Sequence, residues 1–161
     1  MKNEPEKHDY FAELYVAGML ADYGWNVYFP HRDKGFDFII SKEIESQGRK
    51  ELLIRPVQVK GKFPTQEKGN KQTFGYVGEL SPMHQEMVLA IPFFSAGNKT
   101  KPIFVAFMPY SQIKNHCRGY HCEPASFKDG EAKPRRDFKK FFDIEGILLM
   151  ENLRWKDLKV D

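Results

Sequence analysis

Little in this chain belongs to a secreted scaffold or a membrane span. Its 161 residues hold two cysteines, too few for a disulfide framework. No run approaches the roughly 18 consecutive apolar residues that a membrane helix needs, so no membrane partner is expected. Residues 1–7 lack an apolar h-region, so no signal peptide is expected and the default setting is cytoplasmic and reducing. Repeats, low-complexity tracts and a clean linker are also missing. Residues 1–161 therefore read as a single domain, with a core in 1–110 and a C-terminal extension in 111–161. Excess charge of one sign is small: 25 Lys and Arg against 22 Asp and Glu give +3. That balance permits an anionic partner without demanding one.

What is present is a globular composition, 41% hydrophobic and 29% charged, with a generous 14% of aromatics. The chain is long enough to bury a real core. Its most informative stretch is residues 34–62. Phe36, Phe38, Ile39 and Ile40 form one β-prone run, and Leu52, Leu53, Ile54, Val57 and Val59 form another. The polar residues 42–51 between them include Gly48, so the simplest reading is an antiparallel hairpin. If Ser41 or Lys42 pairs near Leu53, Asp37 falls opposite Gln58. Alternation then puts Gln58 and Lys60 on one face and Val57 and Val59 on the other. An acid, an amide and an ammonium thus meet in a segment apolar enough to be core, an arrangement that costs free energy unless something pairs with them. A divalent metal and a phosphate would do so.

The set Asp37 with Gln58, Val59 and Lys60 resembles the PD-(D/E)XK nuclease superfamily in its QxK form, found in Mrr-like restriction enzymes and some homing endonucleases. The likeness follows the order of elements over roughly the first 110 residues. Lys34, Gly35 and Phe36 precede Asp37 where the name-giving pattern has a proline, and Gln58 stands where the second acid is usual. The resemblance implies an α/β, restriction-endonuclease-like αβββαβ core, a mixed sheet flanked by helices with C-terminal additions. It also implies metal-dependent phosphodiester hydrolysis, with DNA the expected nucleic-acid partner and a homodimer where both strands are cut by one site each. Mg²⁺ or Mn²⁺ would be held by Glu13, Asp37, the side-chain carbonyl of Gln58 and the backbone carbonyl of Val59. Lys60 would stabilise the hydroxide nucleophile and the growing phosphorane charge. Gln58 keeps the oxygen count but removes one negative charge. The alternative is a nucleic-acid-binding module of the same fold that no longer cuts.

Other segments are read in order. Asp9 can cap a helix through Phe11, Leu14, Val16, Ala17 and Leu20, with Gly24 as its stop. Glu13 shares a stripe with Val16, Ala17 and Leu20, which turns it toward the core or its rim. A surface glutamate is the plain alternative. Residues 25–29 read as a strand, and His31 sits in a charged loop where solvation is its ordinary role. Pro56 calls for a bulge or an edge position. Lys62, Lys68 and Lys71 are interleaved with Phe63, Phe74 and Tyr76, a composition that suits a loop gripping a nucleic-acid backbone and equally suits a solvated surface.

Ser81 followed by Pro82 signals a short helix. His84 on it can face the groove, though a structural role is its plainer reading. Residues 87–94 and 102–108 read as buried strands, which implies a sheet covered on both faces. One helical turn is expected in 111–115. His116, Cys117, His121 and Cys122 supply metal-ligand types, but four ligands from one short loop would strain one another, so free thiols are the expected reading over zinc. Arg135, Arg136, Lys139 and Lys140 recur at helical spacing after Pro134, a basic face that fits phosphates while Phe138, Phe141 and Phe142 dock inward.

Overall fold

The computed structural model describes residues 7–32 (side chains from residue 10), 35–63, 75–80, 82–98 and 100–161. Helix α1 (Lys7–Asp22) opens the fold, two residues before the expected cap. It buries Ala12, Val16, Ala17 and Leu20. Gly24 stops it at φ +89°, with Gly24 N–H donating to Ala21 and Trp25 N–H to Leu20, a Schellman closure that needs a left-handed residue.

The main sheet has the order β1-β2-β3-β5-β6, built from β1 (Asn26–Tyr28), β2 (Phe38–Ser46), β3 (Arg49–Val59), β5 (Val88–Phe93) and β6 (Phe104–Pro109). Its neighbours are antiparallel except for β3 and β5, so this is an α/β protein with a five-stranded mixed sheet and few helices. The β2–β3 hairpin is longer than its apolar runs suggest. Residues 42–46 and 49–51 belong to the strands, and a two-residue turn of Gln47 (φ +51°) and Gly48 (φ +75°) closes it. Both central residues lie in the left-handed region that such a turn requires. At the solvated tip, polar side chains cost the ladder nothing.

Pro56 pairs in register with Ile39 and makes no bulge in the β2–β3 ladder. It stands one residue before β3 begins its parallel pairing with β5 at Val57, at the end of the stretch where that side of the strand has no β5 partner. The helix expected after Ser81 is not formed: residues 82–87 are turns leading straight into β5. The αβββαβ order therefore lacks its second helix among the described residues. There the chain instead passes through β4 (Tyr76–Gly78), which joins β7 (Lys114–His116) and β8 (Gly119–His121) in a small sheet of order β4-β8-β7.

The C-terminal part adds the β9 (Ala125–Lys128) and β10 (Glu131–Pro134) hairpin, a 3-10 helix at Arg136–Phe141, α2 (Asp143–Leu149) and a 3-10 turn at Trp155–Asp157. One turn at Tyr110–Gln112 matches the expected helical turn, one residue early. Gly146 in α2 has no room for a side chain, since an added Cβ would lie 2.2 Å from the carbonyl oxygen of Phe141. Side chains from Ala12 to Trp155 form one buried cluster.

Both faces of β5 and β6 are covered, but the expectation of a fully covered sheet fails on β1–β3. There Leu53, Arg55, Val57, Phe38 and Ile40 are buried on one face. The opposite face leaves Tyr28, Ile39, Leu52 and Ile54 between 40% and 64% exposed. The helices are too few to cover it.

Candidate nuclease centre on strands β2 and β3

Asp37 sits at the start of β2 because the chain before it turns sharply. Gly35 has φ +115° and packs so closely on Pro82 that a Cβ would lie 2.2 Å from its Cδ. Asp37 N–H then donates to the Val57 carbonyl at 3.0 Å, which starts the ladder. The register observed is the one expected: Lys42 faces Leu53, Phe38 faces Val57, and continuation puts Asp37 opposite Gln58. Asp37 Oδ2 accepts from the Val59 N–H at 2.6 Å and from Gln58 Nε2 at 3.3 Å. A carboxylate held by a backbone donor is fixed in orientation, and the hydrogen bond is of the stronger, charge-assisted kind. The Gln58 amide turns its nitrogen toward Asp37.

Beyond Gln58 the strand stays aligned with β5. Lys60 N–H donates to Ala90, Lys62 N–H to Pro92, and Phe94 N–H back to Lys62, each at 2.9 Å. Alternation places Asp37, Gln58, Lys60 and Lys62 on the face where Ile39 and Ile54 are exposed. Asp37, Gln58 and Lys60 are all half-buried. The Lys62 ammonium, which donates to the Tyr76 carbonyl, is pushed down to about 8 by burial and then by the neighbouring Lys60 charge. Glu13 lies half-buried at the rim of the buried stripe of α1, as its spacing with Val16, Ala17 and Leu20 suggests.

The fit to a metal is partial. The Asp37 carboxylate and the Gln58 amide supply oxygen donors of the kind a hard divalent cation takes. Among the described residues, however, no three His, Cys, Asp or Glu side chains are grouped to hold one. Any ion would rely on Gln58 and backbone oxygen.

The expected nucleic-acid contacts are divided. Lys68 and Lys71 lie outside the described residues. Arg135 pairs with Glu123 at 3.1 Å and Lys140 with Asp161 at 2.9 Å, so among the described residues the basic face keeps Arg136 and Lys139 as its exposed cations without a carboxylate. The segment is a 3-10 helix, with Phe141 and Phe142 buried as expected. His31 is exposed. His84 is exposed too, its Nδ1 accepting from the Glu86 N–H at 3.0 Å.

Residues 114–121 are a hairpin with Cys117 and Arg118 at its turn, and the rings of His116 and His121 lie 4.4 Å apart. Cys117 is exposed. Cys122 is buried, and that burial pushes its thiol up to about 12. The sequence reading missed how these residues gather with Lys114 and Arg135. The signal was present as two histidines five apart across a two-residue turn ending in glycine.

Comparison with protein-family models, with curated proteins and with solved structures finds no match for this chain.

Proposed function

We propose that this protein is a metal-dependent nuclease of the PD-(D/E)XK type acting on DNA. The single observation that carries the reading is the Asp37 carboxylate, bound to Val59 N–H and Gln58 Nε2 and set on the same strand face as Lys60. In the main sheet the order α1, β1, β2, β3, β5, with an antiparallel triplet and then a parallel strand, supports a restriction-endonuclease-like core, without its second helix among the described residues.

In this reading Asp37, Glu13, the Gln58 side-chain oxygen and the Val59 carbonyl hold one Mg²⁺ or Mn²⁺. Such an ion polarises a phosphodiester and lowers the pKa of its bound water. The chain's own part is orientation and charge. Val59 N–H and Gln58 fix the Asp37 carboxylate, and the Lys60 ammonium stabilises hydroxide and the charge that builds on the phosphorus oxygens. With an amide in place of the second acid the anionic field is weaker, which favours one ion over two. The uncovered sheet face gives a duplex access to the centre, and cutting both strands calls for two chains.

The second reading, a nucleic-acid-binding module that does not cut, is favoured by one observation: Gln58 already satisfies Asp37 without a cation. Plasmid incubation with Mg²⁺ or Mn²⁺ separates the two. The nuclease reading expects cleavage by the wild type and at least about a hundredfold less by Asp37→Ala and by Lys60→Ala, with unchanged circular dichroism. Salt-sensitive DNA binding with no Mg²⁺-dependent cleavage would establish the binding module instead.

A further inference from the structure

A second polar site lies across the β7–β8 hairpin. A cavity of about 470 Å³ is lined there by Gln112, Lys114, His116, His121, Glu123 and Arg135, with Phe138, Val160 and the buried Cys122 as its less polar wall. Lys114 and His121 are cross-strand partners, and His116 is the next residue on the same face. Arg135 faces them from the far side, held at 3.1 Å by Glu123. Two fixed cations thus oppose one carboxylate, and two imidazoles can each add a charge. A metal is a poor occupant: a guanidinium and an ammonium repel it, and these residues offer no three grouped metal-ligand side chains. An anion with several oxygens fits, because ammonium, guanidinium and imidazole approach it from different directions.

The site is continuous with the candidate centre. Lys60 acts electrostatically on Lys62, and Lys62 acts on both His121 and Cys122. Tyr76 bridges the same gap, its carbonyl accepting from Lys62, its ring 5.6 Å from that of His121 and its hydroxyl donating to the Arg118 carbonyl. We propose that Lys114, His116, His121 and Arg135 form a phosphate subsite, which holds a backbone phosphate of the same nucleic-acid strand that lies over Asp37 and Lys60. This inference rests on the nuclease reading for the identity of its ligand.

Burial and then the adjacent His116 hold His121 below its ordinary value, with Lys62 acting in the same sense and Glu123 against it. A bound phosphate reverses the balance of charge around the ring, so binding takes up a proton and tightens as pH falls through the histidine range.

The test uses the full chain in EDTA, which prevents cleavage, and follows the ring C–H resonances of its five histidines by NMR. The probes are a short deoxyoligonucleotide and, separately, inorganic phosphate. The proposal expects the oligonucleotide to shift the His116 and His121 resonances and to raise the apparent pKa of His121 by about 1. It also expects binding roughly three- to sixfold tighter at pH 6 than at pH 8, a gain lost in the His116→Gln/His121→Gln variant. An oligonucleotide that binds without moving either ring overturns it, whether or not inorganic phosphate moves them. Plasmid cleavage reports on Asp37 separately. A ring response to oligonucleotide without any cleavage removes the nuclease and leaves the subsite, whereas cleavage without a ring response does the opposite.

Discussion

Arg55 and Lys62 lie seven residues apart on the same strand line and point to opposite faces of the sheet, and both lose much of their hydration. Arg55, 1% exposed, donates to Glu86 at 2.6 Å and to the carbonyls of Met150 and Asn152 at 2.9 and 3.0 Å, with Trp155 beneath its guanidinium. Lys62 has a carbonyl and a second ammonium for neighbours, and among the described residues no carboxylate pairs with it. The first cation is fully answered by the protein and ties the C-terminal segment to the sheet. The second is not, and its proton is held more loosely. A basic residue the fold has satisfied is an anchor. One the fold has left short of negative charge is where an anionic ligand gains most.

Three experiments can break or sharpen that contrast. The largest effect is expected from Arg55→Ala, which strands Glu86 and two carbonyls and should cost about 3–5 kcal/mol in urea unfolding. Arg55→Lys should recover only part of this, because an ammonium cannot reproduce the forked donor geometry. A loss under about 1 kcal/mol would mean that Arg55 is no anchor.

Next comes the pH dependence of Lys62. Its folded value is lowered to about 8, so between there and its ordinary 10.5 the unfolded chain binds more protons. Stability should therefore rise with pH across that window in the wild type, by up to about 3 kcal/mol relative to Lys62→Met. Parallel curves for the two proteins would show that Lys62 carries no such penalty.

The smallest structural effect is expected from Asp37→Asn. The amide oxygen can still accept from Val59 N–H, so the loss should stay within about 1–2 kcal/mol, that of a charge-assisted bond made neutral. A larger loss would class Asp37 with Arg55, as a residue that holds the fold.

The hairpin register was readable because two β-branched runs and one glycine leave little freedom. Once Lys42 meets Leu53, period two carries Asp37 to Gln58 without further information. The buried strands β5 and β6 were equally plain, being apolar at nearly every position. Three things were hidden. Strand residues 49–51 and the turn at Gln47 and Gly48 are exposed at the hairpin tip, and composition there imitates a loop. Ser81 and Pro82 carry a helix-start signal, but β5 begins at Val88 and residues 82–87 leave room only for turns. Nothing local marked Arg55, since the carbonyls that receive it come from Met150 and Asn152, almost a hundred residues later. Local pattern cannot announce a partner that distant. The same limit hid the histidine cavity, whose Arg135 wall arrives from beyond the β9–β10 hairpin.

The measurement closest to the central claim is Mn²⁺ binding to the full chain, read by the loss of free-ion EPR signal in wild type and Asp37→Asn. The account predicts one weak site per chain in the wild type and its loss in the variant, with folding retained. Equal Mn²⁺ binding by both proteins, or none by the wild type, would contradict it.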